Sequence, residues 1–185
     1  MAPYNSLPRA GDRGNRHRWD YASRLYNRSL NFLEGMSAAE DPRQAFQLNA
    51  QAAAYGMHDA VLAMGWFYLN GVGVEVDRDE ARRWYRKSAR QGATMAMYSL
   101  GSMAYEERDY ANAAVWLRRA ADQGHSNSLF WLGKMYWRGH GVPTRKRLAL
   151  ALFQKAAAAR VPAAQRVLKF LSRNPLRARR ITPPG

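Results

Sequence analysis

Apolar residues recur along this chain at helical spacing, and they recur in copies. In the stretch 81–93, "ARRWYRKSARQGA", the residues Ala81, Trp84, Tyr85, Ser88 and Ala89 fall at i, i+3, i+4, i+7 and i+8, the stripe of a helix packed on one face. Ala113, Trp116, Leu117, Ala120 and Ala121 repeat that stripe 32 residues later, and Ala149, Leu152, Phe153, Ala156 and Ala157 repeat it at a shift of 68. A second apolar segment precedes each stripe. At 65–74 it reads "GWFYLNGVGV" and at 133–142 "GKMYWRGHGV", so the chain consists of internal repeats, each predicted to be two helices.

The leading glycines Gly65, Gly101 and Gly133 are 36 and then 32 residues apart, because the third copy replaces the Gly-x-Gly loop with the shorter "YEERDYANA". A weaker copy lies upstream, where Ala45 corresponds to Ala81, Asp41 to Asp77, Gly35 to Gly71, Phe32 to Tyr68 and Gly56 to Gly92. The units therefore run about 21–56, 57–92, 93–124 and 125–160. Residues 162–173, "PAAQRVLKFLSR", resemble one further first helix, with Ala164, Val167, Leu168 and Leu171 as its apolar stripe and Lys169 where other copies have glycine. A terminal helix of this kind caps an open stack.

Starts and stops are signalled as well. Asp77 with Glu80 forms a capping box, Asp41-Pro42 places proline at the first helical position, Asp109 fills the same slot, and the last copy has Arg145 there with Thr144 as its cap. Gly71, Gly73, Gly139 and Gly141 are read as stops that let the chain reverse between helices. A phosphate loop is disfavoured, since no strand precedes these glycines and no Lys-Ser/Thr follows them. Gly65, Gly101 and Gly133 lie inside helices, where glycine costs roughly 1 kcal/mol relative to alanine. Its recurrence at one position predicts close helix-to-helix approach there.

The frame A-x-x-x-L/M-G-x-x-Y-x-x-G-x-G-V followed by D-x-x-x-A-x-x-W-x-x-x-A-x-x-G resembles the Sel-1-like repeat, a relative of the tetratricopeptide repeat. The unit at 57–92 matches strongly and that at 125–160 well, while 93–124 is closer to a tetratricopeptide unit and 21–56 matches weakly. The resemblance implies an all-α, right-handed α-α solenoid of about four helix-turn-helix repeats plus a C-terminal capping helix. It also implies a non-enzymatic adaptor or scaffold for protein complexes, with no shared catalytic residues to carry over.

Composition narrows the picture further. A chain of 185 residues that is 47% hydrophobic buries a substantial core, and the absence of cysteine excludes disulfides and thiolate metal sites. No segment approaches the roughly 20 apolar residues of a membrane span, and the first 20 residues lack a secretory core, so cytoplasmic localisation is the default expectation. Residues 1–20 are expected to form a flexible basic arm and 174–185 a basic, Pro-rich tail, around a repeat domain at 21–173.

The net charge is +15, and it is unevenly spread: residues 125–185 carry 13 basic groups and no Asp or Glu, every such side chain lying at or before Asp122. Such a section attracts something negative. The basic patch is assigned to Arg145, Lys146, Arg147, Arg166, Lys169, Arg173, Arg177, Arg179 and Arg180. By contrast Arg82, Arg83, Arg86, Lys87 and Arg90 read as a solvated face, with Asp79 and Glu80 within helical pairing distance.

If the units stack as tetratricopeptide-like pairs, the first helices line a concave groove. Its partner-binding positions are Trp66, Ser102 and Lys134 in one row, Leu69, Tyr105 and Trp137 in the next, and Asn70 and Arg138 in a third that also holds Glu106. Aromatic anchors beside cations suit a protein or peptide partner with an acidic face. The competing role for Tyr105 and Trp137 is packing between neighbouring units. His17, His58, His125 and His140 are scattered, the adjacent His58 and Asp59 diverge on a helix, and no nucleophile motif occurs. Neither enzymatic activity nor a cofactor, metal or small-molecule substrate is expected. Two alternatives stay open: a tether to nucleic acid or an anionic membrane through the acid-free third, and an inhibitor or immunity-type binding protein. Polyanion binding would weaken steeply with salt, and an aromatic groove less so.

Overall fold

The loops between helices are closed by backbone hydrogen bonds, and these set the architecture. A computed structural model describes residues 13–33 and 41–173, with side chains for 17–31 and 41–173. Among them are the helices α1 (Arg13–Leu33), α2 (Pro42–Ala54), α3 (His58–Asn70), α4 (Arg78–Arg90), α5 (Thr94–Glu106), α6 (Tyr110–Asp122), α7 (Ser126–Arg138), α8 (Lys146–Ala158) and α9 (Pro162–Ser172). The chain divides into two compact units, Met1–Ala96 and Met97–Gly185. Among the described residues no helix is long and apolar enough to cross a membrane. Helix α1 begins at Arg13, within the segment expected to be an arm; residues 1–12, the position of Gly35 and the tail at 174–185 lie outside the described residues.

Each pair of helices is joined face to face by a small residue on the first and a large one on the second. A Cβ built on Gly65 would stand 2.6 Å from Cδ1 and Cε1 of Tyr85, one on Gly101 2.7 Å from Cγ of Leu117, and one on Gly133 2.9 Å from Cε1 of Phe153. The helical glycines are the cause of the close approach predicted from their spacing. In repeat 1 the corresponding residues are Ser29 and Asn49, both buried, and the Asn49 amide donates to the Ala60 carbonyl at 3.0 Å.

In repeats 2 and 4 the first helix ends as the glycines foretold. Gly71 and Gly139 adopt left-handed angles (φ 69° and 76°), donating to the carbonyls of Phe67 and Met135. The Asp77 and Arg145 amides then return to the carbonyls of Tyr68 and Tyr136 at 3.0 and 2.9 Å. The second glycine of each loop has another duty. A Cβ on Gly73 would fall 1.9 Å from the Pro42 carbonyl oxygen, and one on Gly141 2.2 Å from that of Tyr110. Each loop thus lies backbone to backbone on the start of the preceding repeat's second helix.

The second helices end in a Schellman pattern, with paired bonds such as Gly92 N–H to Ala89 O and Ala93 N–H to Ser88 O. The left-handed residue is Gly56, Gly92 and Gly124 in the first three repeats, but Arg160 (φ 62°) in the fourth. Two capping expectations are corrected. Asp77 accepts from the amides of Asp79 and Glu80, yet Glu80 pairs with Arg83 instead of completing a box. Thr144 does not cap α8: Arg145 is the N-cap residue, without a side-chain bond, and the Thr144 hydroxyl lies against Gly139. Asp41 and Asp109 cap α2 and α6 as expected, and on α4 the Arg82–Asp79 and Arg83–Glu80 pairs form, with Arg83, Arg86, Lys87 and Arg90 exposed as expected and Arg82 half-buried.

Gly65→Ala gains helix propensity but drives a methyl into the buried Tyr85 ring, so a net destabilisation of about 1–2 kcal/mol is expected in urea unfolding; an unchanged or higher midpoint would show that the ring yields freely. Arg160→Gly removes a left-handed arginine, and thermal unfolding should register a gain of roughly 0.5 kcal/mol after the added freedom of the unfolded chain is offset. A loss would mean that the arginine side chain makes a compensating contact.

Candidate functional site

Large aromatic side chains on the first helices stay partly in solvent, and cations lie beside them. In the first unit, Trp66 is 42% exposed on α3 and meets Phe67 edge-on at 5.5 Å. Leu69 is half-buried, and the exposed Asn70 turns its amide back to the Trp66 carbonyl at 2.9 Å.

In the second unit, Ser102 and Tyr105 on α5 and Lys134 and Trp137 on α7 are half-buried, and Arg138 is exposed. Tyr105 packs between repeats, 5.0 Å from Trp131 and 5.1 Å from Tyr110, and its hydroxyl lies 3.2 Å from Nδ1 of His140. Tyr110 stacks on His140 at 4.4 Å. The Lys134 Nζ stands 4.2 Å from the Trp131 ring centroid and 5.6 Å from that of Tyr105. Burial first, and the nearby Arg138 charge second, hold the Lys134 ammonium below the ordinary lysine pKa. Trp137 instead leans on Phe153 of its own repeat at 6.2 Å, with Lys146 5.8 Å from its ring. Packing between repeats therefore describes Tyr105, while Trp137 packs on a core cluster that holds Ala121 as well as residues of its own repeat.

The structure thus gathers Tyr105, Lys134 and Arg138 with three residues the sequence reading did not select, Trp131, Tyr110 and His140. Trp131 carried a usable signal, since it stands three positions before Lys134 on one helical face. Tyr98 and Phe130 are half-buried and packed against core clusters.

Of the basic patch, Arg145, Lys146 and Arg147 are exposed at the start of α8, and Arg166, Lys169 and Arg173 are exposed along or just after α9. Arg177, Arg179 and Arg180 lie outside the described residues. Cations at a helix start oppose its dipole by about 0.3–1 kcal/mol each, so α8 begins with neither a side-chain cap nor a favourable charge. Among the described residues there is no group of three or more His, Asp or Glu able to hold a metal.

His125 has a structural task. Its Nδ1 accepts from the Ser128 amide at 3.3 Å and lies 2.9 Å from the Ser128 hydroxyl, capping α7, while Tyr98 covers the ring at 4.7 Å. Burial lowers its pKa from the ordinary 6.5.

Pairs of antiparallel-type helices repeated along a chain, with capped turns and no strand among the described residues, define an α-α solenoid protein. The sequence profile of the Sel1 repeat matches residues 25–56, 58–92, 94–125 and 126–160, and the chain belongs to the Sel1 repeat family. Among solved structures it is similar to c5321, a protective antigen present in uropathogenic Escherichia coli strains and displaying an SLR fold. That pair shares 31% identity, covering 84% of this chain and 34% of that one, with a TM-score of 0.78. A Sel1 repeat protein from Oxalobacter formigenes shares 27% identity over 81% of this chain and 63% of its own, with a TM-score of 0.76. A sel1-like repeat-containing protein, L21, of Acanthamoeba polyphaga mimivirus is 38% identical over 47 residues, 25% of this chain and 9% of that protein. The chain therefore spans less than two thirds of each of these relatives. Sel1-repeat proteins in general mediate protein–protein interaction.

Because the folded pKa of His125 lies below its unfolded value, the unfolded state binds more protons between the two. Its contribution to stability is present above pH ~6.5 and is lost as pH falls through that window. In urea unfolding across pH 7 to 5, His125→Asn, which keeps a capping acceptor, should show a shallower decline than the parent chain; identical slopes would assign the dependence to other groups.

Proposed function

We propose that this protein is a non-enzymatic interaction module whose first-helix faces bind a protein partner. One observation carries the reading: Trp66, Tyr105 and Trp137, at equivalent or adjoining rows of successive first helices, keep part of their rings at the surface although the same chain buries comparable side chains elsewhere. Partly exposed aromatic rings on rigid helices are efficient anchors, because they bring large apolar area with little rotamer entropy to lose. The fold supports this use, since paired helices hold their exposed faces in place before a partner arrives. The residues of the first unit and those of the second are two separate candidate contact faces.

The basic end section has a supporting role in this reading, accelerating encounter with a partner of opposite charge. Its exposed residues Arg166, Lys169 and Arg173 favour the tether to a polyanion as a second reading, because those side chains take no part in the aromatic cluster.

The test is photo-crosslinking from positions 69 and 137 in the full chain, identification of the trapped protein, and reconstitution from purified components. Trp66→Ala and Trp137→Ala are each expected to weaken that complex about tenfold or more while the fold is kept. A reconstituted complex indifferent to both substitutions would overturn the reading. Steep loss of binding with salt, together with transfer of the crosslink to nucleic acid, would favour the tether.

A further inference from the structure

Resting on the reading that the α5–α7 face meets a protein partner, we propose that Lys134 is the seat for a side-chain carboxylate on an acidic, extended segment of that partner. The ammonium is held in place: its Nζ is 4.2 Å from the centroid of Trp131 and 5.6 Å from that of Tyr105. Aromatic faces attract a cation through their quadrupole but satisfy its N–H donors poorly, which leaves those donors for an acceptor from outside. Among the described residues no carboxylate lies within ion-pair distance of Lys134.

Charge supports the same occupant. The charge acting on Lys134 is Arg138, one turn further along α7 and of like sign. A carboxylate arriving between them relieves that repulsion as well as pairing with both cations. Residues 125–185, which supply Lys134 and Arg138, hold no Asp or Glu, whereas the turn after Tyr105 carries Glu106, Glu107 and Asp109, so the α7 side of the seat is the side complementary to acid. Half-burial beside two rings reduces screening, which makes the attraction stronger than at an open surface lysine. Tyr105, tied to His140 at 3.2 Å with Tyr110 stacked behind, gives the seat a wall already in place before binding. A nucleic-acid backbone is the less favoured occupant: its phosphates would reach the exposed Arg166, Lys169 and Arg173 without desolvating a half-buried lysine.

The probe is a short fluorescein-labelled peptide, amidated at its C-terminus, in which glutamates alternate with leucine and alanine, beside a twin with glutamine in place of glutamate. Anisotropy is measured on the full chain at ~0.15 M salt, and the indole N–H resonance of Trp131 is followed by NMR. The glutamate peptide should bind about tenfold tighter than its twin and shift the Trp131 resonance. Lys134→Gln should remove the difference while the twin's binding stays, and Lys134→Arg should restore part of it. Equal affinity for the two peptides would overturn the carboxylate seat and leave the protein-partner reading intact; no binding of either would count against both. A preference that survives Lys134→Gln but disappears in Arg166→Glu, Lys169→Glu would move the acid to α9 and overturn the assignment. Equal or tighter binding of a fluorescein-labelled single-stranded RNA, lost in Lys134→Gln, would overturn peptide recognition in favour of a phosphate backbone.

Discussion

The distance between the two helices of a repeat is the constraint on which the rest depends. Where Gly65, Gly101 and Gly133 face Tyr85, Leu117 and Phe153, no room exists for even a methyl group. Three unfavourable helical glycines are tolerated because each lets a large side chain lie directly on a helix backbone and bury its face, and the apolar area gained exceeds the propensity lost. With that contact made, the remaining stripe residues of both helices turn inward together, and the opposite faces of the first helices are left for other uses.

The Gly-x-Gly loops convert paired helices into a stack. Their first glycine ends the helix; their second lets the loop backbone touch the start of the preceding second helix, at Pro42 in one case and Tyr110 in the other. His140, the residue between the two glycines of the last loop, is thereby carried against Tyr105 and Tyr110. The same local geometry that joins repeats 3 and 4 thus builds one wall of the aromatic cluster, and the Lys134 ammonium is placed by packing and not by an ion pair.

The periodic and local features were open to reading along the chain. Apolar stripes at Ala81, Trp84 and Tyr85, Asp caps at 41, 77 and 109, and paired glycines at the loops each act within a few residues. Repetition then raised a weak single signal to a firm one: one helical glycine is an accident, and three in register imply a neighbour. Repeat 1 was harder to see because the positions of the glycine and the large apolar residue are held by Ser29 and Asn49, both buried and polar, with Asn49 donating to Ala60 on α3 of the next repeat. The start of α8 misled because Thr144 has capping chemistry, whereas the N-cap position falls on Arg145 and Thr144 packs beside Gly139.

What the sequence by itself determined is the repeat, its two helices, their stops, the face each buries and the asymmetry of charge, since all of these follow from spacing and composition. What only the tertiary structure decided is which residues meet across repeats. Tyr105, Tyr110, Trp131 and His140 belong to four different elements, and their gathering around Lys134 depends on how far apart those elements lie. Periodicity gives the direction in which a side chain leaves its own helix but not the distance to the next one, and ring contacts at 4–6 Å are decided by that distance.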